Sequence, residues 1–244
     1  MVTRYVNQRK KAPQEPCQGG RKSGSASQSG AEDQDERLYF CVGFRTLHGM
    51  VKAVKRIAPK KLRPFPHGIT VAYIGDGKGK TTAAVGAATR AAGYGWKVLF
   101  LQFYKSIDWP SGEREALRKL GVDVEVHGAG FVGILGDRKH LREHQQAAQR
   151  ALRVAWAHIL SGKYKLVVLD EVISCLEQKL FPVSTLVQFF QKRLQHAKAK
   201  NVHLVLTGHQ QFPAILKYCD VVTEMNMLKH PYYKGFIAVK GIDF

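Results

Sequence analysis

The sequence predicts an α/β domain over residues 67–244, a mostly parallel sheet with helices on both faces, preceded by a basic, low-complexity extension over residues 1–66. Three observations predict it. From residue 69 onward, short β-rich apolar runs alternate with helical stretches, the pattern of strand–helix–strand units. A glycine-rich turn joins the first of these strands to the first helix. Composition also changes at Gly68. Ahead of it lie a Gly/Ser/Gln stretch from Gly19 to Gly30 and the acidic run Glu32-Asp33-Gln34-Asp35-Glu36, a composition expected to stay largely disordered.

The elements follow in order. Ile69 to Ile74 is a short β-rich run, and Thr81 to Ala92 is an Ala-rich helix closed by Gly93 and Gly95. Lys97 to Phe103 reads as a second strand, Glu113 to Leu120 as a helix ended by Gly121, and Val122 to Val126 as a strand with one wet face. A long helix is expected over Lys139 to Leu160, and Leu166 to Leu169 reads as a fully buried strand. Ser184 to Lys198 is helical, Val202 to Leu206 a strand, Pro213 to Tyr218 helical and Val221 to Met225 extended.

The chain's 244 residues, 45% of them hydrophobic, can bury one substantial core. No apolar run approaches the roughly 20 residues of a membrane helix, and no secretory signal opens the chain, so a soluble cytoplasmic protein with no membrane partner is expected. Cys17, Cys41, Cys175 and Cys219 are scattered without a CxxC pair, as free thiols in a reducing compartment would be. Formal net charge is +19, divided as +9 in residues 1–68 and +10 in residues 69–244. An excess spread so evenly, without a basic helix stripe or interleaved aromatics, does not point to nucleic acid. It equally suits small anions.

The turn after the first strand reads Gly75-Asp76-Gly77-Lys78-Gly79-Lys80-Thr81-Thr82. Glycines let the backbone curl so that N–H groups can meet phosphate oxygens, and the helix N-terminus adds partial positive charge. Lys80 is placed to bridge outer phosphates, with Lys78 a second cation, and the Thr81 hydroxyl is placed to ligate Mg²⁺ or Mn²⁺. This identifies the domain as P-loop NTPase-like (RecA-like), although one residue is missing from the usual spacing: the pattern requires glycine at position 74, which is Ile74. Asp170 and Glu171 end a buried strand and, at its carboxyl end, are expected to face the loop, one of them holding the metal ion. Thr207 and His209 end the next strand, either beside the nucleotide or as a structural turn.

Together these residues resemble the corrinoid adenosyltransferases of the P-loop type. The resemblance spans Ile69 to Phe244 and includes the shortened loop. It continues through Gln102-Phe103, Trp109-Pro110-Ser111-Gly112-Glu113, Gly130-Phe131, Val167 to Glu171, Leu206-Thr207-Gly208, Val222 to Met225, Lys229-His230-Pro231 and Lys240 to Phe244. It implies that ATP and a reduced corrinoid are the substrates. Co(I) attacks the ribose C5′, triphosphate leaves, and the loop holds the phosphates in the reverse of the usual sense. It further implies metal binding by Thr81 and Glu171, a phosphate contact from Arg90, and a corrinoid-side role for Phe131 in displacing the lower axial ligand. Trp109 is either corrinoid-facing or a lid anchor, and Phe131 on its own reads equally as core. A homodimer and a flavin-type electron donor are also implied.

Two positions depart from the family pattern: Gly133 stands where a tryptophan is usual, and His209 where arginine is common. Two other functions remain open on sequence, a non-catalytic nucleotide-binding protein on the same scaffold and a P-loop ATPase acting on nucleic acid.

Overall fold

The computed structural model describes residues 63–134 and 136–243, so expectations for residues 1–62 lie outside the described residues. Six strands form one sheet: β1 (Thr70–Ile74), β2 (Val98–Gln102), β3 (Asp123–Val126), β4 (Leu166–Asp170), β5 (His203–Thr207) and β6 (Val221–Glu224). Their order is β3-β2-β4-β5-β1-β6, and every pairing is parallel. The strand preceding the glycine loop, β1, is thus separated from the acid-ended β4 by β5, the RecA-like arrangement.

The helices are α1 (Lys80–Gly93), α2 (Gly112–Lys119), α3 (Leu141–Ser161), α4 (Val172–Glu177), α5 (Val183–Gln195) and α6 (Pro213–Leu216). Side-chain alternation along the central strands shows why both faces must be covered. Leu99, Leu101, Val167, Leu169, Leu204 and Leu206 point into one apolar cluster, which also holds Ala148, Ala151, Ile173 and Phe190 from α3, α4 and α5. Val98, Phe100, Leu166, Val168 and Val205 enter the other, with Ala84 and Ala88 of α1 and Leu117 of α2. Small residues along α1 let that helix lie close to the sheet, bringing its N-terminus to the strand ends.

The edges differ from the centre. The alternation in β3 predicts one wet face, but all four of its residues are half-buried, and all four residues of β6 are exposed. At the opposite end of the sheet from the loop, Arg193 is fully buried and donates to the carbonyls of Gly68 and Val202, both at 2.6 Å. This fastens α5 to the starts of β1 and β5.

The apolar burial predicts a contrast. Leu169→Ala, at a fully buried position, should lower unfolding free energy by about 2–5 kcal/mol in urea titrations. Val222→Ala, 43% exposed on β6, should cost less than about 1 kcal/mol.

Candidate active site

The carboxyl ends of β1, β2, β4 and β5 converge on one cavity of about 470 Å³. Its lining includes Lys78, Lys80, Thr81, Thr82, Glu171 and His209.

Gly75 and Gly79 adopt left-handed backbone angles, φ 106° and 111°. Gly77 is required for a different reason. A Cβ there would lie 2.5 Å from the Met225 carbonyl oxygen, because the segment leaving β6 runs directly against the loop. Backbone hydrogen bonds fix this contact: Gly77 N–H donates to Met225 O at 2.7 Å, and Met225 N–H to Ile74 O at 2.8 Å. Gly75 N–H donates to His209 O at 2.8 Å. Two amides that the glycine pattern offered to phosphate are therefore committed to protein carbonyls. The start of α1, which has no side-chain cap among the described residues, leaves further backbone donors for an anion.

Lys80 folds back so that Nζ donates to Gly77 O at 2.8 Å. Burial holds its pKa below the ordinary lysine value, against the pull of Glu171 and Asp76. Lys78 pairs instead with Asp243, whose carboxyl is held below its ordinary value chiefly by that contact.

Asp170 is completely buried and joins three elements. Its Oδ1 accepts from Thr81 Oγ1 at 3.0 Å and Thr207 Oγ1 at 2.8 Å, and its Oδ2 from Gln102 Nε2 at 3.3 Å. The Thr207 hydroxyl in turn accepts from Glu171 N–H at 2.6 Å. Burial raises the pKa of Asp170 above the usual range. Glu171 sits in the left-handed region at φ 62°, an uncommon conformation for a side chain of this size. Its Oε2 is buried with no hydrogen-bond partner among the described residues. Burial, and then the neighbouring Asp170, push its carboxyl up to about 8.

His209 contributes its backbone carbonyl to the loop and its ring to the cavity. Its Nδ1 lies 3.3 Å from Ser174 Oγ. Burial, then Lys80, lowers its pKa from the ordinary histidine value. Asp76 lies on the far side of the loop, in a smaller recess with Gly77, Lys78 and Tyr232.

Three expected residues sit away from the loop cavity. Arg90 is in the last turn of α1 and exposed, about 15 Å along the axis from Lys80. Phe131 and Trp109 meet edge to face at 4.9 Å, and Tyr104 meets Phe131 at 5.4 Å. Phe131 is half-buried against the core, so it packs and presents a surface at once. Gly133 follows at φ 69°.

Sequence reasoning passed over the residues that build the opposite wall. Lys105 and Glu113 line the cavity and pair at 3.0 Å. Arg114 anchors the loop carrying Lys105, donating to Ser106 O, Ile107 O and Trp109 O at 2.8–3.0 Å and to Gln102 Oε1 at 2.7 Å. The available signal was a cation just past a fully buried strand, opposite a glycine loop.

A family model for ATP:corrinoid adenosyltransferase BtuR/CobO/CobP matches residues 66–244. The chain belongs to this family. The corrinoid adenosyltransferase of Escherichia coli K12 is 34% identical over 181 residues, which is 72% of this chain and 86% of that protein. Corrinoid adenosyltransferase CobA of Salmonella typhimurium LT2 is 33% identical with the same coverage. The corrinoid adenosyltransferase of a Sinorhizobium species is 30% identical over 203 residues, 81% of this chain and 91% of that protein.

Two outcomes follow from the adenosyltransferase site. Gly77→Ala should fold yet weaken ATP binding by about tenfold or more in calorimetry, because only about 1.4 kcal/mol of loop displacement is needed for that loss. Glu171 binds a proton in the folded protein that the unfolded chain releases near 4.5. Stability without nucleotide should therefore be fullest below that value and fall as pH rises toward about 8, with Glu171→Gln flattening the decline in thermal melts.

Proposed function

We propose that this protein transfers the 5′-deoxyadenosyl group of ATP to the Co(I) of a reduced corrinoid, releasing triphosphate, in adenosylcobalamin synthesis or salvage. The observation that carries the reading is a family match over residues 66–244, joined to a cavity where lysines, a helix N-terminus and the strand-end carboxyl of Glu171 converge. Co(I) supplies the electron pair of the new Co–C5′ bond and is formally oxidised to Co(III). The C5′–O bond breaks with its pair passing to the triphosphate. No general base is needed, since no proton is removed from the nucleophile. The protein stabilises developing negative charge on the leaving group, through Lys78, Lys80 and the N–H groups that open α1. It also holds C5′ in line with cobalt and excludes water.

Thr81, Glu171 and Asp170 offer hard oxygen donors, and the unpartnered Glu171 oxygen fits an ion such as Mg²⁺ or Mn²⁺. Asp170, already accepting three hydrogen bonds, acts chiefly by fixing the Thr81 hydroxyl. Among the described residues no three His, Cys, Asp or Glu side chains form a metal-holding group, and phosphate oxygens of bound ATP would supply further ligands to such an ion. A bound divalent ion would neutralise phosphate charge as the leaving group departs.

Phe131 and Trp109 provide the corrinoid-facing aromatic surface, with Phe131 removing the lower axial ligand and Gly133 leaving room beside it. A cytoplasmic homodimer receiving electrons from a flavin-type protein completes the proposal; no helix among the described residues is long and apolar enough to cross a membrane.

Anaerobic incubation with ATP, Mg²⁺ and chemically reduced corrinoid should give the absorbance change of Co–C bond formation, with stoichiometric triphosphate. ADP and phosphate as products would overturn the reading. Lys80→Ala should reduce turnover by about a hundredfold or more.

A further inference from the structure

Lys105 has no counterpart in the phosphate loop and faces that loop across the cavity. Its side chain is 13% exposed and its Nζ lies 3.0 Å from Oε1 of Glu113, whose side chain is 14% exposed. Burial pushes the Lys105 ammonium down, but Asp170, Glu113 and Glu171 outweigh it and hold it above its ordinary value. A partly buried cation of this kind requires compensation, and a single carboxylate accounts for only one of its three donors.

A purely structural pair would serve to fasten the segment after β2 to α2. That task is already performed by Arg114, which takes three carbonyls of the same segment and the Gln102 side chain. Glu113 also has a second attachment, to Gln102 Nε2 at 3.3 Å, so it stays in place if Lys105 turns away. On the loop side both lysines are engaged, Lys78 by Asp243 and Lys80 by Gly77 O. The site thus carries one further, partly buried cation, on the wall opposite the loop.

We propose that Lys105 is a third phosphate-binding cation, closing on the outer phosphates of a linear triphosphate from the wall facing Lys78 and Lys80, with Glu113 as its holding partner when the site is empty of anion. This rests on the phosphate-loop cavity being the nucleotide site. It gives the leaving triphosphate cationic contacts on two sides, which favours its departure as a unit.

The test uses inorganic tripolyphosphate as the probe, with calorimetric affinity and thermal melts on the full chain. Lys105→Met should weaken tripolyphosphate by about tenfold or more, the worth of one charged hydrogen bond, while Lys105→Arg retains most of the affinity. Glu113→Gln should bind it as well as wild type or more tightly. A structural pair alone would lower the melting temperature of Lys105→Met and Glu113→Gln alike and leave tripolyphosphate affinity within about twofold of wild type, which would overturn the proposal. If Lys105→Met does not fold, a loss of affinity in Glu113→Gln overturns it instead. Lys80→Ala separates the two readings: if it weakens tripolyphosphate and Lys105→Met does not, only the role of Lys105 fails; if neither weakens it, the phosphate-loop reading fails as well.

Discussion

The site depends on one carboxylate removed from water. Asp170 is reached by a hydroxyl from α1, a hydroxyl from the end of β5 and an amide from the end of β2. A buried acid with those partners is costly to disturb, because each contributor would leave an unsatisfied group behind. Parallel strand order supplies the partners: β4 lies between β2 and β5, so their carboxyl ends arrive side by side. Thr81 is then tied to the strand end at the start of α1, which fastens one end of the loop between β1 and α1.

The loop itself is held from below by the segment after β6. Gly77 and Gly75 give their amides to Met225 and His209, so the glycines serve close backbone contact as much as anion binding. The exposed edge strand β6 therefore matters less for its own burial than for where it delivers Met225. An edge element with little apolar contact can still set the shape of a binding loop.

Much of the fold was legible because parallel strands buried on both faces are nearly continuous apolar runs, as in Val98 to Leu101 and Leu166 to Leu169. The alternation of such runs with helical stretches gave the layer order. α4 was missed because Val172-Ile173-Ser174-Cys175-Leu176 is buried all round and lacks a helical period. Helix α5 ends at Gln195, short of the expected Lys198, and a separate 3-10 turn covers Ala199–Asn201. At the site, the loop and the acid pair were readable from local spacing. The Lys78–Asp243 contact was not, since it joins segments distant in sequence, and nothing in the eight-residue spacing of Lys105 and Glu113 marks them as a side-chain pair. Arg90 lies in the last turn of α1, and a motif position says nothing about the length of helix separating it from the loop.

Glu171 combines a left-handed backbone with a buried, unpartnered oxygen. Glycine at that position would relax both burdens, so a library screened only for resistance to heat would drift toward losing the acid. Under the metal-holding role proposed for Glu171, its retention in such a library would have to come from a selection that requires turnover, and position 171 would be a place where robustness and activity pull a lineage in opposite directions.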